Sequence, residues 1–189
     1  MLKQIETRAA NRLTCGGQIV NVSSVSKEGV ADVMTAAWNT PYDSDQVLVV
    51  LALGHTTTQN ILDTGKFVVT IPHEGQIFEI NKVGSIHGRD CGDKFEWAGI
   101  TPERSAKLGY KIMPDPLAVI ECELIDKETF AKTGVCLGKA ISISVQEELW
   151  DAEKASFAAG FARTLHYITA DAYYVGGKVV KVEKNYTNM

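Results

Sequence analysis

Between Val33 and Phe95 the chain sets an apolar run, Val47-Leu48-Val49-Val50-Leu51-Ala52-Leu53, directly ahead of Gly54-His55-Thr56-Thr57-Thr58-Gln59-Asn60 and Ile61-Leu62-Asp63-Thr64-Gly65. An apolar run of that length bounded by turn residues reads as a buried strand. The hydroxyl-rich segment after it, closed by a glycine, reads as a short helix that begins at the threonines. The chain then returns at once to a β-branched run, Lys66-Phe67-Val68-Val69-Thr70-Ile71, stopped by Pro72. Strands separated by so little helix disfavour a doubly wound parallel sheet.

Elsewhere the punctuation is that of hairpins. Gln18 to Val25 alternates aliphatic and polar residues, Ser26-Lys27-Glu28-Gly29 reads as a turn, and Val30 to Trp38 reads as the returning strand. Pro41-Tyr42-Asp43-Ser44-Asp45 has turn chemistry and is expected to break that strand ahead of the apolar run. Ile77, Ile80 and Val83 recur at three-residue spacing, as in a short amphipathic helix, whereas Gly84 to Asp93 reads as an irregular loop. Residues 101–113 suggest a helical turn, 117–125 and 140–145 strands, and Phe157 to Leu165 a helix. Ala172-Tyr173-Tyr174-Val175 and Lys178 to Val182 suggest a hairpin through Gly176-Gly177. The balance predicts a mainly β fold with short helices, about six to eight strands in a largely antiparallel, closed or partly closed barrel.

A length of 189 residues suits one domain, 1–189. Nineteen basic and 23 acidic residues, a net charge of -4 without any Lys/Arg cluster, argue against a nucleic-acid partner. The N-terminus lacks the apolar core of a signal peptide and no run reaches the length of a membrane span, so a cytoplasmic protein without a membrane partner is expected. Cys15, Cys91, Cys122 and Cys136 are widely spaced, which indicates neither a zinc site nor a dithiol motif. Reduced thiols are expected, with Cys122 and Cys136 in core strands.

Two places concentrate chemistry. The strand that carries Val30, Ala31, Val33, Met34, Ala36 and Ala37 ahead of Trp38 has small side chains, its alanines above all, that would let another group lie against the backbone. Thr56, Thr57, Thr58 and Asn60 open a helix, where unpaired N–H groups and the positive dipole end suit a phosphate. The same threonines serve equally as N-cap and strand-end hydroxyls. His55 and His87 are of the residue type that donates protons, although a lone loop histidine is more often exposed and idle. No Gly-x-Gly-x-x-Gly follows a strand, so a nicotinamide would bind without a dinucleotide-binding fold.

Taken in order, Met34-Thr35-Ala36-Ala37-Trp38-Asn39, Thr56-Thr57-Thr58 leading to Asn60-Ile61, Thr64-Gly65-Lys66-Phe67-Val68-Val69 and Asp93-Lys94-Phe95 resemble the flavin reductase-like family. Its members include flavoredoxin and other FMN-binding split-barrel proteins. The resemblance covers most of the chain and is sharpest from residue 30 to residue 97. It implies a split β-barrel homodimer that binds FMN non-covalently near the subunit interface. The isoalloxazine would lie against the backbone of Thr35, Ala36, Ala37, Trp38 and Asn39. The phosphate would lie near Thr56, Thr57, Thr58 and Asn60, with Lys94 adding positive charge. The implied activity is that of an oxidoreductase. It is either a reductase with NAD(P)H as transient electron donor, or an electron carrier serving a small-molecule or protein redox partner. Many reductases of the family carry a histidine where this chain has Thr133-Gly134-Val135-Cys136-Leu137-Gly138-Lys139, and its absence leans toward a carrier that retains FMN. A non-catalytic barrel module that binds another phosphorylated ligand is the alternative.

Overall fold

The computed structural model describes residues 17–158, 163–169 and 172–176, together with Gln4, Glu6 and Thr7. Its centre is a seven-stranded sheet in which every pairing is antiparallel. In chain order the strands are β1 (Val20–Val25), β2 (Ala31–Ala36), β3 (Asn39–Asp43), β4 (Gln46–Val50), β5 (Lys66–Ile71), β8 (Ala118–Leu124) and β9 (Val135–Val145). Short ribbons β6 (Glu103–Arg104) with β7 (Lys111–Ile112), β10 (Trp150–Asp151) with β11 (Ser156–Phe157), and β12 (Leu165–Thr169) with β13 (Ala172–Val175) complete the strand set among the described residues.

The spatial order is β2-β1-β5-β8-β9-β4-β3. Its two end strands are consecutive in the chain, joined by only Ala37 and Trp38. The sheet must therefore curl until its edges approach, which makes a split barrel rather than an open sheet. At Gly138, in β9, an added Cβ would lie 2.3 Å from Phe67 Cζ, so the missing side chain is what lets the buried phenyl ring fill the barrel. Val22, Val49, Ile61, Phe67, Cys122, Phe130 and Cys136 form this core. Cys122 and Cys136 are buried free thiols, as expected, and burial pushes both up to about 12. Cys15 lies outside the described residues.

Among the described residues the α-helices are α1 (Thr56–Thr64), α2 (Ile77–Gly84), α3 (Gly88–Cys91), α4 (Lys94–Ala98) and α5 (Lys127–Thr133). Gly65 closes α1 in the left-handed conformation at φ 71°, which a glycine adopts without steric cost. Ile80 and Val83 of α2 pack with Val33 and Phe95 into a second core outside the barrel. Leu165 joins them, because β12 runs beside residues 17–19 through bonds such as Ile19 N to Leu165 O, 2.7 Å.

Several local expectations are corrected. Pro41 does not end a strand but sits inside β3, an edge strand, where a missing N–H costs no ladder bond. The apolar run is not a buried strand to Leu53, because pairing stops at Val50, and Ala52 and Leu53 are exposed. Residues 84–93 contain α3 and the cap of α4, whose start is fixed by Asp93 Oδ1 accepting from Phe95 N at 2.9 Å. Residues 101–113 form the β6–β7 ribbon rather than a helical turn, since buried Glu121 accepts from Lys107 N and Leu108 N across the connecting turn. Phe157 and Leu165 are both in strands, and β13 pairs back with β12. The expected partner Lys178 to Val182 lies outside the described residues.

Candidate functional site

The end of β4 sets the site. Leu51 is buried and donates its N–H to Gly134 O at 2.8 Å, after which the chain turns through Ala52 to His55. His55 is the N-cap of α1 in an extended conformation, with no side-chain capping bond. The first N–H groups of α1 therefore have no intrahelical acceptor and face the space in front of the helix.

That space has two adjacent compartments that share lining residues. The larger is a cleft of about 780 Å³ with a shelf formed by Thr35, Ala36, Ala37 and Trp38 at the crossing from β2 to β3. Ile80, Asn81, Gly84 and Ser85 of the α2 region form another wall, and Tyr167 and Tyr173 a third. The two tyrosine rings meet edge to face at 6.2 Å, and Tyr173 donates its hydroxyl proton to Asn81 Oδ1 at 2.7 Å. The smaller compartment, about 130 Å³, is an annex bordered by Asp32, Thr56, Thr57, His87, Gly88 and Lys94. Met34, Thr35, His55, Gly84 and Ser85 line both compartments and so form their common walls. A Cβ on Gly88 would lie 2.4 Å from Asp32 Oδ1 and 3.1 Å from Thr56 Cγ2, so this glycine keeps the annex open.

The residues expected from sequence divide by position. Thr35 is fixed by donating to Ile80 O at 2.6 Å, which ties the shelf to α2. Asn39 lines neither compartment, and its Nδ2 donates to Gln18 O at 2.7 Å, holding the shelf's far end. Thr56 Oγ1 accepts from Arg89 N at 3.0 Å, and the Thr57 hydroxyl donates to Asp32 Oδ2. Thr58 and Asn60 turn toward the barrel instead, donating to Ala52 O at 2.8 Å and Ser24 Oγ at 3.1 Å. They position the helix start without lining the annex.

Lys94 is far from a surface lysine. Only 3% exposed, it donates to Val33 O at 2.9 Å and Val83 O at 3.1 Å, and its Nζ lies 3.5 Å from Asp32 Oδ1. The His55 and His87 rings are 5.3 Å apart. Burial lowers the pKa of His55 below its ordinary value, helped by the positive charges of His87, Lys94 and Arg89 and opposed by Asp32. His55 Nδ1 is buried and has no hydrogen-bond partner among the described residues.

Sequence reasoning missed Asp32, Gly88, Asn81 and the place of His55 in the common wall. The signal for Asp32 was an acidic residue inside the apolar strand Ala31-Asp32-Val33-Met34, which burial makes costly unless it is paired. Together the compartments suit a flat, largely apolar body carrying an anionic tail. Among the described residues no group of His, Cys, Asp and Glu is arranged to hold a metal ion, and no helix is long and apolar enough to cross a membrane.

Fold and site define a split-barrel protein with a ligand cleft beside a helix start. More specifically, the chain belongs to the flavin reductase-like domain family, whose model matches residues 13–178. It is 28% identical over 181 residues to the uncharacterized protein YddH of Escherichia coli K12, covering 93% of this chain and 95% of that one. Among solved structures it resembles an FMN-binding domain of a flavin reductases-like enzyme from Shewanella baltica OS155. That match has a TM-score of 0.80 and 25% identity, over 95% of this chain and 96% of the other. Flavoredoxin of Desulfovibrio vulgaris (Miyazaki F) shares the fold at a TM-score of 0.79 and 19% identity, covering 98% of each chain.

Proposed function

We propose that this protein binds FMN non-covalently, with the flavin ring in the cleft and the phosphate in the annex, and acts as an FMN-dependent redox protein. The observation that carries this reading is that the two compartments lie side by side with Met34, Thr35, His55, Gly84 and Ser85 as common walls. The shelf of Thr35, Ala36, Ala37 and Trp38 adjoins a helix start flanked by Lys94, His55 and His87. FMN, when bound, supplies reversible electron and hydride chemistry. The chain's own part is to hold it. The shelf from Thr35 to Trp38 lies against the ring, the α1 start and Thr56 offer donors to the phosphate, and Lys94 supplies positive charge. The FMN-binding description of the Shewanella baltica structure supports the same reading.

The purified protein is expected to be yellow, or to become so with added FMN, at close to one flavin per chain. Riboflavin, which lacks the phosphate, should bind roughly tenfold to a hundredfold more weakly, since a charge-assisted hydrogen bond contributes about 1.5–3 kcal/mol. A fluorescence titration giving equal affinities would remove the annex from the phosphate role. No flavin binding, with retention of another phosphorylated compound, would favour the non-catalytic module.

We further infer a homodimer and a carrier that keeps its FMN through reduction and reoxidation. Trp38 and Leu53, both on the cleft wall, are 52% and 51% exposed, an apolar rim that a second copy would cover. Sedimentation of a flavin-loaded monomer at micromolar concentration would contradict the dimer. Direct oxidation of NADH or NADPH should be slow without a partner. Rapid bleaching on stopped-flow mixing, with FMN then eluting apart from the protein, would establish a reductase instead.

A further inference from the structure

We infer that the His55–His87 pair is a proton-coupled clamp: the protein takes up a proton on one of these imidazoles when a dianionic phosphate enters the annex. The inference rests on the FMN reading and adds what sets the charge balance of its phosphate end.

Among the residues that line the annex the one fixed cation, Lys94, already faces a carboxylate, and Arg89 stands outside that lining. Lys94 lies 3.5 Å from Asp32, whose side chain is 2% exposed, whereas the Arg89 side chain is exposed to solvent, 4.0 Å from an equally exposed Asp90. Lys94 also gives protons to the carbonyls of Val33 and Val83, and Arg89 Nη1 to that of Gly54. A phosphate carrying two negative charges would thus find donors but no unmatched fixed positive charge among the residues lining the annex. The two imidazoles are the groups able to supply it. They stand 5.3 Å apart at the annex wall, and His55 Nδ1 is buried with no partner among the described residues. The charged groups that act on His55 are His87, Arg89, Lys94 and Asp32. Three of these disfavour its protonation while the annex holds no anion. An adjacent dianion reverses that balance, because an opposite charge within hydrogen-bonding range favours the imidazolium. Asp32 Oδ1, buried and lacking a hydrogen-bond donor, adds to the same preference.

The sign follows. The free site holds His55 neutral and the complex holds an added proton, so phosphate affinity rises as pH falls. At pH 7.5 a phosphate monoester, with a second pKa of about 6, is already mostly dianionic. It therefore contributes little to proton exchange itself.

Calorimetric titration of the full chain with FMN at pH 7.5, in two buffers of different ionisation enthalpy, measures the uptake. About 0.5 to 1 proton per FMN is expected, and by linkage the affinity should weaken about threefold to tenfold per pH unit above 7.5. Riboflavin should bind with no uptake. His55→Gln and His87→Gln keep a polar side chain without the titrating ring, and each should lower the uptake, with the double variant abolishing it. FMN binding without uptake, equal uptake with riboflavin, or full uptake in the double variant would overturn the clamp while leaving the FMN reading intact. Absence of FMN binding would overturn both.

Discussion

Replacing Lys94 with methionine is expected to destabilise the protein by about 3–5 kcal/mol, which for a chain of this size lowers Tm by roughly 6–20 °C. Methionine fills the space left by the aliphatic stem, so packing changes little. What is lost is the ammonium that donates to Val33 O and Val83 O and faces Asp32. Asp32 would be left as a buried charge held only by the Thr57 hydroxyl. Removing one partner of such a pair is costly because the other charge stays desolvated. The double variant Asp32→Asn, Lys94→Met removes the stranded charge and should regain much of the stability. Its affinity for FMN should recover as well, because Lys94 and Asp32 balance each other and their joint removal leaves no unmatched negative charge beside the phosphate. Chemical denaturation of the three proteins, followed by flavin titration, separates the two effects. A loss below about 1 kcal/mol in the single variant would show that Lys94 is solvated and the pair of little consequence.

The same lysine marks the boundary of what the sequence makes legible. Strand β5, the Gly65 stop of α1 and the amphipathic α2 follow from local pattern, because each depends on neighbours a few residues away. The barrel curl follows from turn chemistry and short connections. Asp93-Lys94-Phe95 points to a cation, but nothing local indicates that the side chain runs inward to carbonyls 61 and 11 residues away. Asp32 and Gly88 meet only because β2 and α3 pack across the annex, a contact with no local signature. The β6–β7 ribbon was misread for a related reason, since its form is imposed by Glu121 from a distant strand. Likewise Thr58 and Asn60 belong to the expected hydroxyl-rich cluster, yet helix geometry points successive side chains in different directions. Only Thr56 and Thr57 of that set reach the annex.

Gly134→Ala is expected to cost about 2–5 kcal/mol and to weaken FMN binding from outside the cleft. Gly134 closes α5 at φ 77°, a left-handed conformation that an L side chain tolerates poorly. It also lies back to back with the end of β4, where an added Cβ would sit 2.3 Å from Leu51 O. That oxygen is backbone and has no rotamer by which to move aside. One of the two segments must shift, although Leu51 N to Gly134 O, 2.8 Å, holds them together. Leu51 to His55 forms one side of the cleft and leads into α1, so a displacement there reaches the ring shelf and the helix start alike. Gly109 supplies the control. Its φ is 67°, but nothing lies within 4 Å of its added Cβ, and it lines neither compartment. Gly109→Ala should cost only the conformational term, about 1–2 kcal/mol, and leave flavin affinity unchanged. The difference between the two variants, read by thermal unfolding and flavin titration side by side, isolates the contact with Leu51. Equal losses would mean that the contact relaxes freely. A destabilised Gly134→Ala protein with unaltered affinity would mean that the end of β4 moves without carrying the site with it.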